Sequence, residues 1–166
     1  MTSIHLSLDL TQTTLSTPPS MDPNYYFFAL SSEEDSEKNR KMLYELVREG
    51  VLDDPGHKSG DFETYHDFIN NIYYKHYWKH RETTFLASHH GKWIGLTTLT
   101  VNGNKAHNGL TVVTKEHRGF GIATALKQKM ILVCLEKGIQ SISTHVASTN
   151  DPMLSINRKL GFIKTP

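Results

Sequence analysis

The segment that most constrains this chain runs from Gly109 to Ala125. There a β-branched strand, Leu110-Thr111-Val112-Val113, meets a basic, glycine-punctuated turn ending at Gly121, and a helix begins near Ile122. A strand feeding such a loop at a helix N-terminus commits the chain to an α/β arrangement. It also creates a site for an anion, because first-turn N–H groups have no intrahelical acceptor and the helix dipole favours negative charge there. Gly119 and Gly121 allow positive φ or a close backbone approach, and Arg118 offers a planar fork of donors suited to phosphate. Two other phosphate loops are incomplete here. No Gly-x-x-x-x-Gly-Lys-Ser/Thr string occurs, and Thr124 stands where a dinucleotide fingerprint needs its third glycine.

A second constellation lies downstream, Asn150-Asp151-Pro152-Met153-Leu154-Ser155-Ile156-Asn157-Arg158-Lys159-Leu160-Gly161-Phe162. With it the first segment gains a meaning. Arg118 to Ala123 resembles the pyrophosphate-binding loop of the GNAT acetyltransferases, Arg/Gln-x-x-Gly-x-Gly/Ala, with Arg118, Gly121 and Ala123 in its defining positions. Asn150 to Phe162 is similar to the second signature of that superfamily, Asn-x-x-Met-x-x-x-Asn-x-x-Leu-Gly-Phe. One helix and one strand separate the two segments, which together cover roughly the last third of the chain.

The resemblance implies acetyl-CoA as donor, direct transfer to a primary amine, and no metal. In that scheme Thr111, Val112 and Val113 offer backbone groups to the pantetheine arm and the thioester. Backbone N–H groups of Arg118, Gly119, Phe120, Gly121, Ile122, Ala123 and Thr124 hold the pyrophosphate, and Asn150 and Asn157 bond the pantetheine amides. Asn150 reads equally well as a helix cap. The sequence departs from the family at two positions. Val146 stands where many relatives carry another Asn, and Asn157 stands where many carry the Tyr that protonates the departing thiolate.

An acceptor ammonium with a pKa near that of Lys must lose a proton before it attacks, which costs on the order of 4–5 kcal/mol at pH 7. His145, near the end of the strand after the glycine-loop helix, is the candidate base; a hydrogen-bonded structural role is its alternative. His107 and Glu116 are weaker candidates. His76 and His80, at i and i+4, lack a third ligand and read as surface residues, and Cys134 reads as core. Asp53, Asp54 and Glu63 fall near the region that borders the acceptor in this superfamily, where they either favour a cationic acceptor or form a solvated loop.

The remaining pattern divides into an extension, residues 1–23, and one acetyltransferase-like domain, residues 24–166. In the extension Ile4, Leu6, Leu8 and Leu10 alternate with a strand period, so it reads as an extra strand, a partner-binding arm or a disordered leader. Asn24 to Leu30 is an aromatic strand. Ser31 opens a helix with Glu34 in a capping box and Gly50 as its stop, and Asp61 caps a second helix. Three meandering strands, the glycine-loop helix, another strand, a helix and a strand remnant follow. The expected fold is a GNAT-like α/β domain, a mixed, largely antiparallel sheet of about six strands flanked by four helices. Family members usually add a final strand beyond the point where this sequence ends; either this sequence is short there or another segment, with residues 4–10 the candidate, fills the gap.

A formal net charge of +1 gives no electrostatic reason to expect nucleic acid or an anionic membrane. No apolar run approaches the length of a membrane span, no basic and apolar leader is visible, and one cysteine fits a reducing compartment. The expectation is a cytoplasmic transferase acting on a small-molecule or peptide amine; the oligomeric state stays open, with a homodimer the option that fold analogy offers. Two other readings stay open. One is a catalytically silent acyl-CoA-binding or interaction domain, and the other a nucleotide-cofactor oxidoreductase on a degenerate Gly-x-Gly loop.

Overall fold

The computed structural model describes residues 2–15, 17–57 and 59–166. Met1 and Ser16 of the extension therefore lie outside the described residues. One mixed sheet organises the molecule. Its strands are β1 (Ser3–Asp9), β2 (Tyr25–Ala29), β3 (Thr84–His89), β4 (Lys92–Asn102), β5 (Lys105–Val113), β6 (Ser141–Ala147) and β7 (Ile163–Lys164). They lie in the order β2-β3-β4-β5-β6-β1-β7, seven strands where the sequence suggests about six. Every neighbouring pair is antiparallel except β5 and β6.

Among the described residues four α-helices cover the two faces: α1 (Glu37–Asp53), α2 (Tyr65–Phe68), α3 (Ile122–Glu136) and α4 (Asp151–Lys159). Strand alternation sends Phe85, Ile94, Val113, Ile142 and Val146 into one apolar cluster with Ile122, Leu126 and Met130 of α3 and Leu154 of α4. It sends Leu86, Trp93, Leu96 and Val112 into the other, with Leu43, Leu46 and Val47 of α1 and Phe68 of α2. Both faces are therefore buried at the centre of the sheet, which is why β4 is buried without a break from Trp93 to Leu99.

Strand β1 occupies an interior slot. It pairs with β6 from Ser3 opposite Ala147 to Asp9 opposite Ser141, and with β7 through Leu6 and Ser7. Its alternation delivers Leu6 and Leu8 to the core, each 3% exposed. Residues 3–9 thus take the place in the sheet between β6 and β7.

Helix boundaries depart from the sequence reading at three points. Ser31 lies in a 3₁₀ turn, Leu30–Ser32, and α1 starts later because Ser36 accepts the Asn39 N–H at 3.1 Å. Gly50 does not end α1. It lets the helix lie against β5, since a Cβ there would meet Val112 Cβ at 2.8 Å. Thr64, not Asp61, caps α2, accepting the Asp67 N–H at 3.2 Å, and α2 runs on as a π-helix over Ile69–Tyr77.

Candidate functional site

The site begins where two strands part. β5 and β6 pair in parallel only from Lys105 opposite Ser141 to Asn108 opposite Thr144. Beyond that point both strands continue, β5 to Val113 and β6 to Ala147, without pairing to each other. A β-bulge drives β5 away from its partner. The register with β4 shifts between Thr97 opposite Thr111 and Leu99 opposite Asn108, so Gly109 and Leu110 together oppose Thr98. Gly109 is required here because a Cβ would lie 2.6 Å from Thr98 Oγ1. The parted strands form a cleft of about 610 Å³.

The glycine turn closes one end of it. Gly119 and Gly121 have φ values of 85° and 86°, left-handed conformations that other residues rarely adopt. Gly121 is the N-cap of α3, and the first intrahelical bond runs from Ala125 N–H to Gly121 O. The N–H groups of Ile122, Ala123 and Thr124 therefore precede the ladder, and all three residues line the cleft together with Gly119 and Gly121. Phe120 projects to solvent, 57% exposed, and is not part of the wall.

Arg118 lines the cleft by its position in the loop, but its guanidinium is used for something else. Nε donates to Val113 O at 2.8 Å, and the terminal nitrogen donates to Asp53 at 2.8 Å and Glu49 at 3.4 Å. The side chain thus clamps the loop to α1. The contact also accounts for Asp53, which borders the cleft as an ion-pair partner. Asp54 lies beside it and accepts the Gly56 N–H at 2.9 Å, whereas Glu63 lies outside the cleft.

Thr111, Val112 and Val113 supply the β5 wall, with the Thr111 hydroxyl 2.7 Å from that of Thr97. The β6 wall comes from Thr144, His145, Val146 and Ala147, and the α4 wall from Asn150, Pro152, Met153, Ser155 and Ile156. Asn150 does act as a cap, its Oδ1 accepting the Met153 N–H at 3.3 Å, and it also faces the cleft. Asn157 is fully buried beneath the wall, where its Oδ1 accepts from Lys127 at 2.8 Å.

His145 stands on the sheet face opposite α3 and α4. Its ring lies tilted, 4.0 Å from that of His5 on β1, and edge-on 5.1 Å from that of His107 on β5. His107 is bonded to Ser143 Oγ at 2.9 Å, and burial together with the neighbouring His145 lowers its pKa below the ordinary imidazole value. His107 and Glu116 do not line the cleft; His117 does, held by Tyr25 at 2.6 Å. His76 and His80 have ring centroids 5.6 Å apart, and no metal-competent cluster of three His, Cys, Asp or Glu exists among the described residues. Cys134 is fully buried, with burial raising its thiol to about 11, as a core residue should have.

One cleft residue escapes a sequence reading. Lys127 projects from the buried face of α3, 1% exposed, and forms part of the cleft wall. Its Nζ donates to Asn108 Oδ1 at 2.6 Å and Asn157 Oδ1 at 2.8 Å, without a carboxylate partner. Burial pushes its ammonium down to about 7.

Comparison with known proteins places this geometry. The acetyltransferase (GNAT) family model matches residues 42–162, a span containing most of α1, the cleft and both signature segments. The chain belongs to the GNAT acetyltransferase family. Among curated GNAT relatives it is 28% identical over 96 residues to N-alpha-acetyltransferase MAK3 of Arabidopsis thaliana, covering 55% of this chain and 50% of that protein. It is 30% identical over 100 residues to N-alpha-acetyltransferase 30 of Schizosaccharomyces pombe, covering 55% and 63%. The match thus spans between half and two thirds of these relatives' lengths.

Solved GNAT structures share the fold. A GCN5-related N-acetyltransferase from Sphaerobacter thermophilus superposes with a TM-score of 0.74 at 19% identity, covering 98% of this chain and 48% of that one. The NatC complex bound to Gag peptide and CoA contains a chain that superposes at 0.67 with 18% identity, covering 86% and 87%. No helix among the described residues is long and apolar enough to cross a membrane.

Proposed function

We propose that this acetyltransferase moves the acetyl group of acetyl-CoA directly to a primary amine, and that the amine is the α-amino group of a peptide. The observation that carries the donor half is the left-handed glycine turn, which aims the α3 N-terminus at the mouth of the parted β5/β6 cleft. The Arg118 N–H donates to Lys115 O at 3.4 Å, so the backbone N–H groups from Gly119 to Thr124 are those that suit a pyrophosphate, and the edge of β5 from Gly109 to Val113 offers backbone groups to an amide-bearing arm. Asn150 adds a polar group on the opposite wall. When bound, acetyl-CoA supplies an acyl group activated as a thioester. The names of the curated relatives support a peptide α-amine as acceptor.

The two faces of the sheet divide the work. The glycine turn belongs to the α3 face, and His145 with its His5 and His107 neighbours belongs to the other. His145 is the base that takes the proton from an acceptor ammonium approaching on that open face. Geometry favours it over His107, whose ring is tied to Ser143.

The test is release of CoA thiol with peptides bearing a free N-terminus, the same peptides acetylated there, and simple amines. Turnover with free N-termini alone supports the proposal. Turnover only with simple amines overturns the acceptor, and binding of acetyl-CoA without thiol release from any amine points to the silent acyl-CoA-binding domain.

The donor loop gives a separate expectation. Gly121→Asp sets a carboxylate beside the anion site, at a φ of 86° that disfavours a side chain. Its Cβ would also approach Pro19 Cβ at 2.8 Å. CoA affinity should fall on the order of a hundredfold by calorimetry, a loss of about 2.7 kcal/mol. Gly119→Ala is the control. It meets a similar φ of 85°, with nothing within 4 Å of the new Cβ, and adds no charge. It should therefore retain most of the binding.

A further inference from the structure

Lys127 sits at the apex of the cleft. Its partner Asn108 is the last β5 residue paired to β6, opposite Thr144, whose hydroxyl donates to Asn108 O at 2.9 Å. The Asn108 amide cannot turn freely. Its Nδ2 donates to Thr98 O at 2.7 Å and to Thr97 Oγ1 at 2.9 Å, which leaves Oδ1 facing Lys127. Asn157 presents its own Oδ1 from α4, and the Phe162 ring centroid lies 5.7 Å from Nζ.

A lysine this deeply buried is ordinarily matched by a carboxylate. Here two neutral amide oxygens accept from it, and they serve an amine and an ammonium alike. An ammonium has three hydrogens, and these oxygens take two. The third has no acceptor among the described residues, in a side chain that forms part of the cleft wall.

The surrounding charges do not account for the arrangement. On α4, Asp151, Arg158 and Lys159 are exposed, as are Asp9 on β1 and Lys164 on β7. His107, His145 and His5 lie on the far face of β5, β6 and β1. β4 contributes Thr97 and Thr98, and burial is the cause of the lowered ammonium pKa.

Resting on the acetyl-CoA reading of the cleft, we propose that Lys127 Nζ is the proton donor to the thiolate that leaves when the acceptor nitrogen attacks. The C–N bond forms, the C–S bond breaks, and its electron pair goes to sulfur. Lys127 gives one N–H proton to that sulfur and becomes a neutral amine. The surplus proton on the new amide nitrogen restores the ammonium, and the proton taken earlier by His145 passes to solvent. An ammonium near pH 7 is more acidic than a thiol of reference pKa about 8.5, so the transfer runs downhill.

The test is a thermodynamic cycle between the residue and the sulfur. CoA and desulfo-CoA are titrated calorimetrically into the full chain and into Lys127→Met at pH 7. In the wild-type chain CoA should bind about tenfold more tightly than desulfo-CoA, and in the variant the two should bind alike. CoA binding by both proteins with the same preference would overturn the role of Lys127 and leave the donor site standing. No CoA binding by the wild-type chain would overturn both.

Should Lys127→Met fail to fold, NMR on ¹³C-lysine-labelled wild-type chain decides the matter. The Lys127 titration midpoint should move with CoA and stay in place with desulfo-CoA; equal shifts overturn the proposal. In turnover, the wild-type rate should fall as pH rises past about 7 and the ammonium is lost. A folded Lys127→Met should be slower on the order of a hundredfold and lack that descending limb. Loss of rate with the limb retained would mean a structural role only.

Discussion

Removing residues 1–10 is expected to abolish the fold. β1 is flanked on both sides, by β6 along its length and by β7 at Leu6 and Ser7. Its loss leaves β6 with an open edge and β7 with no partner in the sheet. Leu6, Leu8 and Leu10 also leave the core that holds α3 and α4. At about 1.5–3 kcal/mol for each buried side chain, the apolar loss alone is about 5–9 kcal/mol. Whole-domain stability is about 5–15 kcal/mol, so most or all of it goes. The truncated chain should show no cooperative thermal transition by circular dichroism and should associate through its bared edge. A soluble truncated chain melting at the wild-type temperature would mean that β1 is an accessory strand. The milder Leu8→Ala should keep the fold and cost about 2–5 kcal/mol in denaturant unfolding.

The second large effect concerns Lys127 and pH. Its ammonium falls to about 7 in the folded chain, whereas an unfolded lysine titrates near 10.4. Below about pH 7 both states hold the proton, and the full penalty of the buried charge is present. Between the two values the unfolded chain binds the additional proton, so stability rises with pH through this window at about 1.4 kcal/mol per unit. Measured against Lys127→Met, which removes the titration while filling much of the same space, the wild-type chain should gain about 2–3 kcal/mol between pH 7 and pH 9. The difference between the two proteins isolates this group from other alkaline titrations. A stability difference that does not change with pH would mean that Lys127 keeps its ordinary pKa in the folded chain.

The glycine turn was legible because its determinants are local. Gly119, Gly121 and the β-branched strand before them specify a turn whose geometry needs no distant partner, and the second signature places α4 beside it. The slot taken by β1 was harder to read. Alternation of Ile4, Leu6, Leu8 and Leu10 announces a strand, but which strands it joins is decided by pairing with residues more than 130 positions away, Ser3 with Ala147 among them. Helix starts were misread where several caps compete: Ser31 and Ser36 both suit a cap, and the one that accepts an N–H from the helix is Ser36.

Lys127 was hidden for a different reason. A lysine beside Leu126 is read as solvated, and the apolar residues of α3 alone suggest a buried stripe through Ile122, Leu126, Met130 and Val133. The buried set instead includes Lys127, Ile131 and Cys134. The signal was available, since Lys127 lies three, four and seven residues before Met130, Ile131 and Cys134. Recognising it requires accepting a cation on a helix covered by sheet and α4. The histidine cluster has no comparable local pattern, because His145, His107 and His5 come from three strands that only the folded sheet brings together.

The donor site is the centre of this account, and calorimetric titration with acetyl-CoA and CoA, with ATP and NADPH as controls, tests it most directly. The parted strands and the glycine turn predict one site that binds acetyl-CoA and CoA and neither control. Absence of CoA binding, or equal binding of all four compounds, would contradict it.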